Sequence, residues 1–320
     1  PLGRELSYFK RWGAEIVEQT NSSEDISYSK STIKKICELV SSKSIVTIHV
    51  YDVAGYKAAL QVSKTCSIKI IMSMLSNPSE QTVMGRLNKT IFGEFIPRAT
   101  TLVPSKTTYQ ELLTKYSIKN VGLFNVPVPI DLTIYDEMKI SQERTISLAT
   151  QWGMLEKPRH IIFAKAYFNS NKWQNQIIKL SVNLEKLPEN IRPYIVVLKS
   201  NVNKKQLNEF EEKYLRNRNS VLCLMDHIAD LEASLKLSSI YLELNPQNQY
   251  YSLDILNALA MGNAVVSWEN DVNKELLPSE YHNYLTKNGD IKKLTQTLTN
   301  LLQMNAQERN FTGRTSRNYV

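Results

Sequence analysis

The loop from Asn245 to Ser252 (NPQNQYYS) carries amide, hydroxyl and phenol groups that could meet a ligand. It separates a short apolar stretch, Ile240 to Leu244, from a helical pattern that begins at Leu253, and a second apolar stretch, Ala264 to Ser267, follows. A strand, loop, helix and strand form one βαβ unit of a parallel sheet, and such sheets bind ligands in loops at the carboxyl ends of their strands. We therefore expect the ligand to lie against this loop.

The end of the same loop is suited to an anion. Main-chain N–H groups and the positive end of a helix dipole would meet an anion next to Gln249, Tyr250 and Tyr251. The tyrosine rings could stack on a base or a sugar, or they could shield the edge of the sheet. The sequence leaves both interpretations open.

The histidines and carboxylates give little support to other kinds of catalysis. His49 lies in a strand-like stretch, Ser44 to Asp52, where a lone histidine is either a structural residue or part of a binding site. The other histidines have no spacing typical of metal ligands, and we expect no metal. Asp52 and Glu243 lack a second carboxylate at the fixed spacing that would support a hydrolase pair.

The composition is that of a folded, basic protein of two domains. The chain has 320 residues, which exceeds one ordinary core, and 42% of them are hydrophobic. Its net charge of +8 suits nucleotide-sugar phosphates, anionic membrane surfaces or nucleic acid, or a solvated lysine-rich face without a partner. We expect no nucleic acid partner, because no recognised motif accompanies the charge.

The number and spacing of the cysteines indicate a reducing compartment. Three cysteines stand singly, without the spacing of a disulfide framework or a zinc site. No apolar run of about 18 residues and no signal peptide is visible. These features predict a cytoplasmic protein, with peripheral contact at the inner face of a membrane as the alternative.

The segment SLDILNALAMGNAVVSW resembles the donor-site signature of the group 1 (family 4) retaining glycosyltransferases, E-x-F-G-L-x-x-L-E-A-M-A-x-G-x-P-V-V. The matching positions are Leu253, Leu256, Ala258, Ala260, Gly262, Val265 and Val266. The two glutamates of the family's E-x7-E pair fall on Gln249 and Asn257, so both carboxylates are replaced by amides.

The resemblance implies an α/β protein of GT-B fold, with two Rossmann-like domains that face each other across a cleft. It places an N-terminal acceptor-side domain at residues 1–140 and a C-terminal nucleotide-sugar-binding domain at residues 150–320. We expect the boundary near residues 135–150, after a passage in which Pro127 and Pro129 favour extended backbone.

The N-terminal end of the pattern is incomplete. Arg4 to Arg11 reads as the family's first helix and Ala14 to Val17 as the strand after it. In the family another strand and a glycine-rich loop precede that helix. We therefore expect that residues ahead of Pro1 are absent from the sequence.

The resemblance also implies which residues bind the nucleotide sugar: Lys165, Lys172, Gln249, Tyr250, Tyr251, Ser252, Leu253 and Asn257. Lys172 matches the lysine of the family's diphosphate-binding pattern, and Lys165 takes approximately the place of its arginine. A lysine supplies a point charge to a phosphate but not the bidentate fork of arginine. Asn257 could accept one ribose hydroxyl, with a loss of about 1 to 3 kcal/mol relative to glutamate.

His49 is the catalytic candidate, because its strand resembles a family segment that ends in histidine. A second family histidine, expected after the stretch Ile68 to Met72, is replaced by MSMLSN. Retaining transfer in this family is usually drawn as front-face attack, which needs positioned reactants and stabilised phosphate charge rather than a side-chain nucleophile. We expect no cofactor and no metal beyond a donor such as a UDP- or GDP-sugar.

Two functions of different classes remain. The first is an enzyme that moves a sugar from a nucleotide-sugar donor to a glycan, lipid or protein acceptor. The second is a catalytically inactive pseudo-glycosyltransferase that binds or stabilises a protein partner in a glycosylation or surface-assembly system. The amides at Gln249 and Asn257 favour the second, whereas Lys172 and the intact apolar positions of the motif favour the first.

Overall fold

The computed structural model describes residues 15, 28–51, 53–74, 99–115, 122–154, 159–199, 204–216, 220–226, 230–245 and 251–320. The chain divides into two compact units, Pro1–Val128 and Pro129–Val320. Each unit contains a parallel sheet with helices between its strands, which confirms the predicted α/β class.

The described elements of the first unit are three helices and four strands. They are α1 (Lys30–Ser42), β1 (Thr47–Val50), α2 (Val53–Val62), β2 (Lys69–Ser73), β3 (Thr100–Val103), α3 (Lys106–Lys115) and β4 (Leu123–Asn125). The strands pair in parallel in the order β1-β2-β3-β4. The predicted helix Arg4 to Arg11 and strand Ala14 to Val17 lie outside the described residues.

Local sequence explains how the first unit forms its elements. The hydroxyl of Ser105 accepts a hydrogen bond from the Thr108 N–H at 3.1 Å and so caps the start of α3, as its position predicts. Tyr56, Val103 and Leu112 are fully buried and join α2, β3 and α3 in one apolar core.

The second unit is the larger one. Its strands are β5 (Ile161–Ala164), β6 (Tyr194–Lys199), β7 (Leu222–Asp226), β8 (Ile240–Glu243), β9 (Ala264–Trp268) and β10 (Leu285–Thr286). Its helices are α4 (Gln142–Gln151), α5 (Asn171–Glu185), α6 (Lys204–Arg216), α7 (Leu231–Leu237), α8 (Leu253–Ala260), α9 (Asp271–Leu276), α10 (Ile291–Leu302) and α11 (Ala306–Tyr319). Two short 3-10 helices, Glu137–Lys139 and Ser279–Tyr284, complete the described elements.

The six strands of this unit pair in parallel in the order β10-β9-β8-β5-β6-β7. This order places β5 beside β8, although many residues separate them in the chain. Every residue of β5, β8 and β9 is buried, as expected of central strands covered on both faces. The carboxyl ends of β5 and β8 therefore lie side by side and bring the loops after them together.

The division between the units lies before the range 135–150 that the sequence suggests. Contacts of the segment after Pro129 with the second unit explain the difference. The Arg144 guanidinium forms two hydrogen bonds with the Asp230 carboxylate, at 3.1 and 2.6 Å, and so joins α4 to the start of α7. The Lys236 ammonium donates to the Ile140 carbonyl oxygen at 2.7 Å. Residues that follow the proline-rich passage thus belong to the second unit.

Candidate functional site

The candidate site lies at the carboxyl edge of the second sheet, where β5 and β8 end. Ala164 pairs with Leu242, and the N–H of Lys165 donates to the Leu242 carbonyl oxygen at 3.1 Å. The loop from β5 to α5 therefore starts directly beside the end of β8. We call the residues from this loop, the end of β8 and the start of α8 the carboxyl-edge site.

A buried carboxylate organises this edge. Glu243, the last residue of β8, is only 1% exposed and accepts hydrogen bonds from three hydroxyls. The donors are Tyr241 at 3.0 Å, Ser252 at 2.9 Å and Tyr167. Because Tyr167 belongs to the loop after β5 and Ser252 precedes α8, one carboxylate ties all three parts of the edge together.

Burial is the dominant influence on the acid-base behaviour of this group. Removal from water raises the pKa of Glu243, and the negative charge of Asp254 acts in the same direction. The hydrogen bond from Tyr167 opposes the shift by stabilising the charged form. Burial also raises the pKa of Tyr241 well above its ordinary value, so this phenol remains a donor to Glu243.

Lys165, one of the two predicted phosphate-binding lysines, forms an ion pair with Asp254 in the first turn of α8. Its side chain is 45% exposed, so solvent or a ligand can still approach the ammonium. The pair links the loop after β5 to the helix of the motif, and an aspartate in the first turn also suits the helix dipole. A phosphate bound here would compete with Asp254 for the lysine.

Lys172, the other predicted lysine, is exposed in the first turn of α5. The hydroxyl of Ser170 caps this helix by accepting from the Trp173 N–H at 3.2 Å. Trp173 is fully buried, and its ring lies edge-on to Tyr167 with 6.3 Å between the centroids. Lys172 is therefore attached to a rigid helix start, but the structure does not show it in contact with Lys165 or α8.

The residues of the motif itself differ in how much of each side chain is exposed to solvent. Ser252 is buried, and its hydroxyl donates to Glu243 rather than capping α8. Tyr251 is 6% exposed, which leaves little of its ring open for stacking. Leu253 and Asn257 are half-buried on α8. Because Ser252 gives no side-chain cap, the first N–H groups of α8 are donors that an anion could use.

Gln249 and Tyr250, the two other motif residues predicted to bind the donor, lie outside the described residues. Their predicted role stays a prediction.

His49 belongs to the first unit and lies in β1. Its Nε2 is 2.8 Å from the Ser73 hydroxyl at the end of β2, and its Nδ1 is 3.3 Å from the Tyr51 hydroxyl. The rings of His49 and Tyr51 also lie against each other, with centroids 4.4 Å apart. This exposed trio can exchange protons through its hydroxyls, and it brings an imidazole to the end of β2, where the strand itself carries none.

Sequence reasoning missed part of the carboxyl-edge site. The sequence pattern brings up Glu243 only as one half of a hydrolase pair, and it does not point to Tyr167 or Asp254. The sequence does contain a signal for this site, because Glu243 is the one charged residue in the apolar stretch IYLEL. A carboxylate that is buried with its strand needs several hydrogen-bond donors around it.

Two general features bear on the kind of site. Within the described ranges, no three His, Cys, Asp or Glu side chains are grouped so that they could hold a metal ion. No helix in the described part of the chain combines the length and apolar character needed to cross a membrane.

Comparisons of sequence and structure give different results. No protein-family model matches the sequence, and no curated protein sequence matches it. Solved structures do match. A glycosyltransferase from Rickettsia africae is 14% identical with a TM-score of 0.73, and the match covers 99% of this chain and 83% of that one. Anabaena HepE in complex with UDP-glucose is 12% identical with a TM-score of 0.75, covering 90% of this chain and 76% of HepE.

Sucrose-phosphate synthase from Thermosynechococcus elongatus also matches, with 12% identity, a TM-score of 0.71 and coverage of 90% of this chain and 71% of that one. Identities this low establish the fold and not the activity. The two parallel sheets described above and these matches agree with the fold that the motif implies. The chain therefore has the two-domain, Rossmann-like GT-B fold of these glycosyltransferases.

Proposed function

We propose that the chain is a glycosyltransferase that moves a sugar from a nucleotide-sugar donor to a glycan, lipid-linked or protein acceptor. The observation that carries the proposal is the carboxyl-edge site, where the loop after β5 and the start of α8 converge on one end of the second sheet. A parallel sheet of this kind binds its ligand at that end. HepE, which shares the fold, is in complex with UDP-glucose, so a UDP-sugar is the first donor to test.

In this proposal the second unit binds the donor. The ammonium groups of Lys165 and Lys172 and the N–H groups at the start of α8 stabilise the diphosphate, including the charge that develops on the leaving phosphate. Asn257 accepts a hydrogen bond from a ribose hydroxyl through its amide oxygen. Glu243 is a positioning residue that does not bind the donor itself. It accepts hydrogen bonds from Tyr167 and Ser252 and so holds the loop after β5 and the start of α8 in place.

The first unit binds the acceptor, and His49 is the group proposed to exchange a proton there. Its hydrogen bond with Ser73 supports this role, since a hydroxyl can relay a proton to or from the imidazole. We propose that the transfer needs neither a metal nor a cofactor other than the donor. We also propose a cytoplasmic location, with peripheral membrane contact where the acceptor is lipid-linked.

A catalytically inactive binding protein is the second candidate, and two observations favour it. Asn257 replaces a charged residue of the motif with a neutral amide. Lys165 already forms an ion pair with Asp254, which reduces the attraction of its ammonium group for a phosphate. Such a protein would keep the fold and bind a protein partner of a glycosylation or surface-assembly system.

Calorimetric titration with UDP, GDP and UDP-glucose separates the two candidates. We expect binding of one nucleotide, weakened about tenfold to a hundredfold by Lys172→Ala, because a charge-assisted bond to phosphate is lost. Lys179→Ala removes a charge from an exposed position of the same helix and is the matched control. Asn257→Glu should tighten binding by restoring the charged acceptor for the ribose.

Two results would contradict the enzyme proposal. One is the absence of binding to all three ligands at millimolar concentration, which supports the inactive candidate. The other is equal weakening by Lys172→Ala and Lys179→Ala, which would show that only net charge matters.

A further inference from the structure

A cavity of about 510 Å³ lies at the opposite edge of the second sheet, where β8 and β9 begin. Its walls include Ser239 before β8, Gly262 and Asn263 before β9, and one side of α11. This volume falls within the roughly 300 to 1,000 Å³ typical of small-molecule sites. We call it the amino-edge pocket. Because the strands separate it from the carboxyl-edge site, a ligand here would not occupy the proposed donor site.

The floor of the amino-edge pocket is rigid. Gly262 has φ +75°, a conformation that other residues rarely adopt, and it forms the tight turn between α8 and β9. A Cβ atom on Gly313 of α11 would lie only 3.1 Å from the Gly262 carbonyl oxygen, so the helix packs directly on this turn. The hydroxyl of Ser316 also donates to the Asn263 carbonyl oxygen at 2.9 Å.

The lining of the pocket is strongly basic, with four cationic side chains against the carboxylate of Glu137. Two of the cations have internal structural contacts. Lys236 donates to the carbonyl oxygens of Glu137 and Ile140, and Arg317 donates to two carbonyl oxygens and lies 3.5 Å from the Asp136 carboxylate.

The other two cations are Arg309 and Arg314, and no carboxylate of the described residues lies within ion-pair distance of either guanidinium. Arg309 donates to the Met304 carbonyl oxygen, which accepts a hydrogen bond but does not neutralise the charge. Burial lowers the pKa of His160, and the positive charge of Arg309 lowers it further. His160 lies 3.4 Å from the hydroxyl of Ser239, a wall residue.

Asn263 adds a group that needs a donor. It is 2% exposed, and its amide NH2 donates to the carbonyl oxygens of Leu235 and Ser238 at 3.0 and 2.7 Å. These two bonds fix the orientation of the amide, because the reversed amide would place oxygen against oxygen. Its Oδ1 has no hydrogen-bond partner among the described residues. The Oδ1 atom is closed to solvent as well, so a hydroxyl in the pocket would reach it only after a movement of the wall.

We propose that the amino-edge pocket binds a phosphorylated small polyol, with Arg309 and Arg314 holding the phosphate monoester. Arginine suits this role because its planar fork matches the geometry of phosphate oxygens. The wall hydroxyls of Ser239 and Thr312 offer further hydrogen bonds to the polyol. The site is distinct from the proposed donor site and does not depend on catalytic activity.

Calorimetric titration of the whole chain with glucose 6-phosphate, inorganic phosphate and glucose tests the proposal. We expect glucose 6-phosphate to bind more tightly than phosphate and glucose not to bind. Arg314→Ala should weaken binding about tenfold, the effect of losing one charge-assisted hydrogen bond. Arg314 is exposed, so this variant should fold even if Arg309→Ala does not. Arg216→Ala, which removes an exposed arginine on α6, should leave the affinity unchanged.

Three results would overturn the proposal. Absence of heat with glucose 6-phosphate at millimolar concentration would exclude the ligand class. Equal weakening by Arg216→Ala would show a general charge effect instead of a site. Binding to vesicles that contain phosphatidic acid, lost in Arg314→Ala but without binding of soluble glucose 6-phosphate, would identify the basic residues as a membrane contact.

Discussion

The carboxyl edges of the two sheets hold their polar groups in different ways. At the second sheet, a buried carboxylate receives three hydroxyl donors, and an ion pair joins the loop after β5 to α8. At the first sheet, His49 and Tyr51 are exposed, and the contacts of His49 described above are hydrogen bonds with the hydroxyls of Ser73 and Tyr51. The second edge is thus built around buried and paired charge, whereas His49 and Tyr51 of the first edge are exposed.

This difference indicates which edge is preorganised. A buried, fully hydrogen-bonded group holds its neighbours in one arrangement and is costly to disturb, whereas an exposed contact can rearrange with little loss. We therefore propose that the charged diphosphate binds at the second edge and the acceptor at the first. Substitutions at the two edges test this contrast.

Replacing Glu243 with alanine should have the largest effect. We expect the free energy of unfolding to fall by roughly 3 to 5 kcal/mol, because three hydroxyls lose their acceptor and a cavity remains. Urea unfolding of the whole chain measures the change. Glu269→Ala is the matched control, since this exposed glutamate pairs with Lys274 at 2.8 Å and should contribute at most about 1 kcal/mol. If the two variants lost similar amounts of unfolding free energy, the buried carboxylate would be no more important to the fold than an exposed one, which would contradict this account.

Replacing Asp254 with asparagine should strengthen nucleotide binding. The change removes a negative charge that competes with the phosphates for Lys165, so we expect a gain of about 1 kcal/mol, or roughly fivefold in affinity for UDP. Calorimetry measures the affinity, and the double variant Lys165→Ala with Asp254→Asn should lose the gain. A weaker affinity in Asp254→Asn would show that the ion pair organises the site instead of blocking it.

Stability should depend on pH through Glu243. Because burial raises the folded-state pKa of this carboxyl above its ordinary value of 4.5, its protonated form stabilises the fold below that value. The contribution is lost as the pH rises through the raised pKa. Glu243→Gln cannot titrate, so the wild type should lose stability relative to this variant as the pH increases above 4.5. Urea unfolding of both proteins at several pH values above 4.5 measures the difference in the free energy of unfolding. If the two free energies change with pH in parallel, Glu243 is not the group responsible.

The smallest effect on stability and donor binding is expected for His49→Ala. Because the side chain is exposed, the free energy of unfolding should change by no more than about 0.5 kcal/mol. Affinity for the donor should be unchanged, while the rate of sugar transfer should fall. Urea unfolding, calorimetry and a transfer assay measure the three quantities. A loss of donor affinity would contradict the assignment of His49 to the acceptor side.

Local patterns in the sequence were enough to predict many elements of the fold. The helical pattern from Leu253 predicted α8, and the apolar stretches Ile240 to Leu244 and Ala264 to Ser267 predicted β8 and β9, because these signals depend on neighbouring residues. The division after Val128 was not predictable in this way, because it depends on contacts between residues far apart in the chain, such as Arg144 and Asp230.

The site was less predictable than the fold for the same reason. Lys165 and Asp254 are 89 positions apart in the chain, and only the neighbouring placement of β5 and β8 brings them together. The convergence of Tyr167, Tyr241 and Ser252 on Glu243 also requires the order of the strands. The motif predicts a ligand site at this edge, but it does not predict which polar groups of the edge are already paired with each other.

Hydrogen exchange with and without UDP-glucose tests the central claim, that the carboxyl edge of the second sheet is the nucleotide-sugar site. We predict slower exchange of backbone amides in residues 165–172 and 251–257 when the ligand is present. Residues 47–51 and 69–73 of the first sheet should exchange at the same rate in both conditions. Protection of the first sheet alone, or no protection of either edge at millimolar UDP-glucose, would contradict the claim.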